Sequence, residues 1–242
     1  MHFSNVLAIA RTPSKSEDFS ELIVRTVPKN LKVDTRSYGQ LIGPYESHGH
    51  YRAIIIEIDT PSASTQTLDI IKKTRSENPG STIFLVVTFA TTLSKTKYYL
   101  AGADYCIKVV ESSPEKKLAL FAAFLSETYW LSNTDLLLDQ DRMCIYGGGK
   151  KLEVSFVEMK VLEALIHNRL LSHDEIAVVM GLNARFYDSR ALEKSISRLR
   201  GKIKSHYGSN IIQSIRGYGY KLSRGLASVN HIHPVKERPN RE

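Results

Sequence analysis

Much of the chemistry that a 242-residue chain could carry is missing from this one. It has two cysteines, Cys106 and Cys144, isolated from each other and from any metal-ligand spacing. That excludes a disulfide framework and fits a reduced, cytoplasmic setting. No stretch approaches the ~20 consecutive apolar residues of a membrane span, and the N-terminus lacks a charged segment followed by an apolar signal core, so no membrane partner is expected. Gly147-Gly148-Gly149 is not a phosphate loop, because the spacing is wrong and Lys150 is followed by Lys151 where Ser or Thr is needed. The eight histidines are scattered and no nucleophile has a visible base. An enzyme, a cofactor and a metal centre are therefore not expected, and His231 and His233 are the one pair that could share a metal ion. Acidity is also short: 33 Lys and Arg against 25 Asp and Glu leave a net charge of +8. That surplus favours polyanionic partners without separating DNA from RNA or a membrane surface.

What is present is a soluble composition, 42% apolar and 24% charged, over a length sufficient for two ordinary domains. The basic charge is not spread evenly. Between Arg185 and Arg224 stand ten Lys and Arg and only two acids, a local surplus equal to that of the whole chain. The same stretch holds a helical pattern. At about 100° per residue, Leu192, Ile196, Leu199 and Ile203 share one narrow sector, while Arg190, Lys194, Ser197 and Gly201 lie near the opposite pole, with Arg198 and Arg200 on the flanks. A helix that buries one stripe and presents cations on the other suits a DNA major groove, where phosphates attract the charges and base edges lie within reach. A solvated cationic surface helix is the plainer alternative. Ile211–Leu222 then reads as a short β-hairpin with Arg216 at its turn.

The first 130 residues alternate apolar runs with polar helical stretches. Strands are predicted at Val6–Ala10, Leu31–Arg36, Ile54–Ile58, Ile83–Phe89 and Tyr105–Val109, and helices at Glu17–Thr26, Gln66–Glu77, Lys95–Leu100 and from Pro114 to about Trp130. Such alternation predicts an α/β domain over 1–130, with a doubly wound parallel five-stranded sheet. Residues 131–134 are a polar linker. A smaller α+β domain over 135–224 is expected to hold short antiparallel strands within Asp135–Leu152, two helices opened by the capping boxes Ser155-x-x-Glu158 and Ser172-x-x-Glu175, the basic helix and the hairpin. Residues 225–242 are polar and charged and read as a flexible tail.

That order of elements, with Ser197-Arg198-Leu199-Arg200, Lys202 and Arg216-Gly217-Tyr218-Gly219-Tyr220, resembles the winged-helix effector domain of OmpR/PhoB-type response regulators over residues 135–223. The resemblance implies a transcription regulator bound to double-stranded DNA. It places Arg216 in the minor groove, Lys194 and Arg198 near bases, and Arg190, Ser197 and Arg200 at the backbone, with Lys202 in the same motif. Ser197 stands where arginine is frequent. The loop around Val179–Tyr187 matches a segment that touches RNA polymerase, without its usual tryptophan.

The first domain resembles a response-regulator receiver through Tyr51–Pro61, Thr88 and Ala101-Gly102-Ala103-Asp104-Tyr105. The phosphotransfer set is altered. Glu57 holds the nucleophile position, Ala10-Arg11-Thr12 replaces the acid pair that would hold Mg²⁺, and Lys108 sits one residue early, leaving Val109 in the lysine's place. The expectation is a degenerate phosphoacceptor pocket of Arg11, Glu57, Thr88 and Lys108 that takes no phosphoryl group, with Glu57 paired to Arg11 or Lys108. Glu57 either imitates a phosphorylated aspartate or is an inert leftover charge, and Asp59 is the other conceivable acceptor. The resemblance further implies a homodimer through Leu93–Leu100, Tyr105–Val109 and Glu115–Trp130, on direct repeats one DNA turn, about 10–11 bp, apart. Phe121, Phe124, Leu125 and Tyr129 suit either the core or the dimer seam. The competing function is an interaction module for a protein or small molecule, with only non-specific DNA affinity.

Overall fold

The computed structural model describes residues 5–42, 51–127 and 136–229, apart from 12, 79, 91–93, 111–112, 209 and 224. The expected His231 and His233 pair, the linker at 131–134, Leu93 and Tyr129 lie outside the described residues. The chain divides into two compact units between Leu131 and Ser132.

In the first unit the apolar runs form β1 (Asn5–Ala10), β2 (Lys32–Ser37), β3 (Tyr51–Ile58), β4 (Thr82–Val87) and β5 (Tyr105–Lys108). All pair in parallel, in the order β2-β1-β3-β4-β5. Parallel neighbours need crossovers, and these hold α1 (Pro13–Thr26), α2 (Tyr38–Ile42), α3 (Ser64–Glu77) and α4 (Thr96–Ala101), while α5 (Pro114–Glu127) follows β5. The two-residue period of a strand sends alternate side chains to opposite faces. Leu7, Ile9, Ile54, Ile56 and Ile58 meet Ile70 and Ile71 of α3 and Tyr98 of α4. Val6, Ala8, Ala53 and Ile55 meet Phe19 and Ile23 of α1 and Phe121 and Leu125 of α5. Both faces are covered, so the sheet is doubly wound, as the sequence predicts, and Phe121 and Leu125 belong to the core. The five-residue α2 has no counterpart in the sequence reading; its buried Tyr38 joins the α3 face.

The second unit contains β6 (Leu136–Asp139), β7 (Cys144–Gly147), β8 (Lys150–Glu153), α6 (Phe156–Asn168), β9 (Leu170–Ser172), α7 (His173–Val179), α8 (Ser189–Tyr207), β10 (Ile212–Ile215), β11 (Gly219–Leu222) and β12 (Leu226–Ser228). Both capping boxes form: Ser155 and Ser172 accept from the amides of Glu158 and Glu175, whose carboxylates accept in return from the serine amides. The apolar stripe of α8 is buried among Leu162 and Leu165 of α6, Ile176 of α7 and Leu222 of β11.

Two short strands were not legible. At Arg169, in a positive-φ conformation (61°), the chain leaves α6 and enters β9, which pairs antiparallel with β11 in a sheet ordered β10-β11-β9. β12 corrects the expected tail from residue 225. Leu226 and Ser228 are buried, and the strand runs parallel to β6 at the edge of a sheet ordered β12-β6-β7-β8. The Leu136 amide donates to Gly225 O at 2.6 Å and Gln140 Nε2 to Ser228 Oγ at 3.4 Å. Covering the β6 edge and burying Leu226 outweigh the polar composition around it.

Candidate nucleic-acid interface

Asp188 opens α8 by accepting from the Arg190 amide at 2.9 Å, and Gly208 closes it in the left-handed region. With Leu192, Ile196, Leu199 and Ile203 buried, the helix presents Arg190, Lys194, Ser197 and Arg198 to solvent. Lys204 is exposed as well. Arg200 and Lys202 are half-buried and have partners inside the unit. Arg200 bonds the Asn210 amide just before the hairpin; oriented so that its nitrogen donates to Ile212 O at 2.9 Å, that amide accepts from Arg200 Nη2 at 3.1 Å. Lys202 Nζ donates to Glu158 Oε2 at 2.8 Å, tying α8 to the start of α6. Burial alone would raise the Glu158 carboxyl, but the Lys202 ammonium and the Ser155 amide outweigh it and hold the group below the usual carboxylate range.

The hairpin follows from two glycines. Gly217 takes the positive φ (71°) that the turn after Arg216 requires. Gly219 lies against β9, where an added Cβ would stand 2.1 Å from Leu171 O. The result is a tight wing with Arg216 exposed at its tip, braced by His173 N donating to Tyr218 O at 3.0 Å and by the His173 ring set edge-on to Tyr220. Gly201 is different. It sits inside α8 on the exposed side, at a helix-propensity cost of about 1 kcal/mol relative to alanine, and nothing lies within 4 Å of the position of a Cβ there.

Between α7 and α8, Leu182 and Phe186 are exposed, Phe186 at 84%, beside Val178 at the end of α7. Tyr187 anchors this loop by donating to Asp174 Oδ1 at 2.9 Å.

The sequence pattern of the family described as transcriptional regulatory protein, C terminal, matches residues 149–222, which run from the β7–β8 turn through α8 to the end of the wing. The second unit thus carries the sequence pattern of a transcriptional regulator's C-terminal domain, and the chain is similar to response regulators of the OmpR/PhoB type. It is similar to the transcriptional regulatory protein CusR of Escherichia coli K12, with 28% identity over 182 residues covering 72% of this chain and 79% of that protein. The probable transcriptional regulatory protein SilR of Salmonella typhimurium is 27% identical, covering 71% and 78%. Among solved structures, the response regulator DrrB, a Thermotoga maritima OmpR/PhoB homolog, is 19% identical over 92% of this chain and 100% of its own, with a TM-score of 0.37.

In the first unit the sequence-selected pocket residues stand at or just past the C-terminal ends of four strands: Arg11 after β1, Glu57 in β3, Thr88 after β4 and Lys108 at the end of β5. Glu57 is buried, and its Oε1 accepts from Thr88 Oγ1 at 3.2 Å. Arg11 meets Asp59 at 3.6 Å and donates to Thr60 Oγ1 at 3.0 Å. Lys108 donates to the Ala90 carbonyl, and Val109 is fully buried. Tyr38 and Thr60 complete the rim and carry no sequence signal. The Tyr38 hydroxyl donates to Glu57 O and lies 3.0 Å from Thr67 Oγ1, and burial raises its pKa so that it keeps its proton. Among the described residues no group of three or more His, Cys, Asp and Glu could hold a metal ion. No helix among them is long and apolar enough to cross a membrane.

Proposed function

We propose that the chain is a sequence-specific DNA-binding transcription regulator that works without aspartate phosphorylation, as a dimer on direct-repeat sites. The observation that carries this reading is the exposed cationic side of α8, Arg190, Lys194 and Arg198, backed by a buried stripe and accompanied by Arg216 at the tip of a rigid wing. Lys194 and Arg198 read bases in the major groove, Arg190, Ser197 and Arg200 hold the backbone, and Arg216 enters the minor groove. Lys202 contributes field and fixes the helix through Glu158. The test is to select genomic fragments with the untreated full-length protein at ~150 mM salt, which suppresses purely electrostatic binding. A recovered motif repeated at about one DNA turn is the expected result. Retention without a motif would favour an interaction module with non-specific DNA affinity.

Independence from phosphorylation rests on the altered pocket. A guanidinium at residue 11 repels the Mg²⁺ that phosphoryl transfer needs, and Glu57 already engages the Thr88 hydroxyl that would meet a phosphoryl group. Glu57 thereby holds the first unit in its active form. Incubation with a small phosphodonor and Mg²⁺ is expected to leave the intact mass unchanged; a stable adduct on Glu57 or Asp59 would overturn this. Dimerisation uses the side of the first unit formed by α4, β5 and α5, where Leu100, Val110 and Leu120 are exposed. Leu100→Glu is expected to give a monomer by sedimentation. Phe186, Leu182 and Val178 offer RNA polymerase an apolar contact on the α7–α8 loop, and Phe186→Ala is expected to lower transcription while leaving DNA affinity intact.

A further inference from the structure

We propose that Gly201 is where α8 comes closest to DNA, its missing side chain leaving room for the sugar–phosphate strand that walls the major groove. This inference rests on the DNA-binding reading above. Glycine in a helix interior is unfavourable because the unfolded chain regains more freedom there than alanine would allow. Such a residue persists where the fold demands it, and elsewhere in this unit the demand is visible. Gly208 takes a left-handed cap, Gly217 a left-handed turn, and Gly219 lies against the backbone of β9. Gly201 has none of these reasons. It is helical, exposed, and faces open space in the free protein.

The direction it faces supplies the missing reason. At about 100° per residue, residue 201 points between the directions of Arg190 and Lys194, opposite the buried stripe of Leu192, Ile196, Leu199 and Ile203. Arg198 and Lys204 are exposed on its two sides. The side of α8 that carries the cations therefore has one position with no side chain, flanked by groups that draw phosphates in. A duplex held by Lys194, Arg198 and Lys204 comes against bare helix backbone at Gly201, and any Cβ would hold the helix out of the groove. The residue thus sets the depth to which its neighbours reach, and acts as a positioning residue for base reading.

Two variants of the full-length protein test this against the duplex recovered in the genomic selection. Gly201→Ala should raise the melting temperature of the free protein by about 4 °C or more and weaken binding at least fivefold. Those opposite signs cannot arise from damage to the fold. Gly201→Lys adds a cation to a surface already basic, so without a close approach it would tighten binding; the expected result is weaker binding than for Gly201→Ala. Unchanged or tighter binding by Gly201→Ala, or tighter binding by Gly201→Lys, would overturn the role of Gly201 while leaving DNA recognition standing. Failure of the wild type to recover any motif would remove the DNA-binding reading, and this inference with it.

Discussion

Arg75 reaches from α3 to two loops of the first unit. Its Nε and Nη2 donate to Gly102 O at 3.1 and 2.9 Å, its Nη1 donates to Ser81 O at 2.8 Å, and Nη2 meets Asp104 Oδ2 at 2.5 Å. Asp104 Oδ2 also accepts from the Ile83 amide at 2.9 Å, so one ion pair joins α3, β4 and the turn into β5. Both side chains are largely withdrawn from water, and removing one member of such a pair costs about 3 kcal/mol. Arg75→Ala should therefore lower the urea midpoint of the first unit markedly, whereas Arg25→Ala, whose pair with Glu21 is exposed, should leave it nearly unchanged. At the pocket, Glu57→Ala removes the acceptor of Thr88 and is expected to weaken binding to the repeated DNA site, which titration of the recovered duplex would measure. Equal affinity would identify Glu57 as an inert leftover charge.

At the scale of elements, the two capping boxes and the Glu158–Lys202 pair join the helices of the second unit. Ser172→Ala is expected to cost about 1 kcal/mol. Glu158 also carries a pH dependence. Its folded-state pKa lies below the unfolded value, so its contribution is complete above the unfolded pKa of about 4.3 and is lost as pH falls through the folded value. The difference in urea midpoint between the wild type and Glu158→Gln should accordingly be largest near neutrality and close as the pH is lowered below 4; a constant difference would show that the carboxylate's charge is irrelevant. Elements with a strong period were readable in the sequence: the buried runs of β1, β3 and β4, the stripe of α8 and both serine caps. What was not readable depends on partners far away in sequence. β9 and β12 have three residues each, too few for alternation to register, and exist because β11 and β6 offer edges. Nothing near Lys202 announces Glu158, and nothing near Arg11 singles out Thr60. The cationic face was legible because it is local to one helix, whereas the receiver rim is assembled from several strand ends.

For the whole molecule, the charge surplus is concentrated where DNA is to be met, so affinity should depend steeply on salt. The exposed Arg190, Lys194, Arg198 and Arg216 predict a slope of log affinity against log salt on the order of −4 per protomer. Arg216→Ala should reduce its magnitude by about 1, and Lys194→Ala should flatten the preference for the recovered motif over random duplex. A slope unchanged by Arg216→Ala would remove the wing from the interface.

The pairing of β12 with β6 also bears on the order in which the protein comes into being. Strand β6 begins at Leu136, but its outer edge is closed only by Leu226–Ser228, so the four-stranded sheet of the second unit waits for residues made long after its first strand. Among the described residues, the strands of the first unit are complete by Lys108. A growing chain thus acquires its receiver-like half first, and β6 gains its second neighbour only once Leu226–Ser228 have been made.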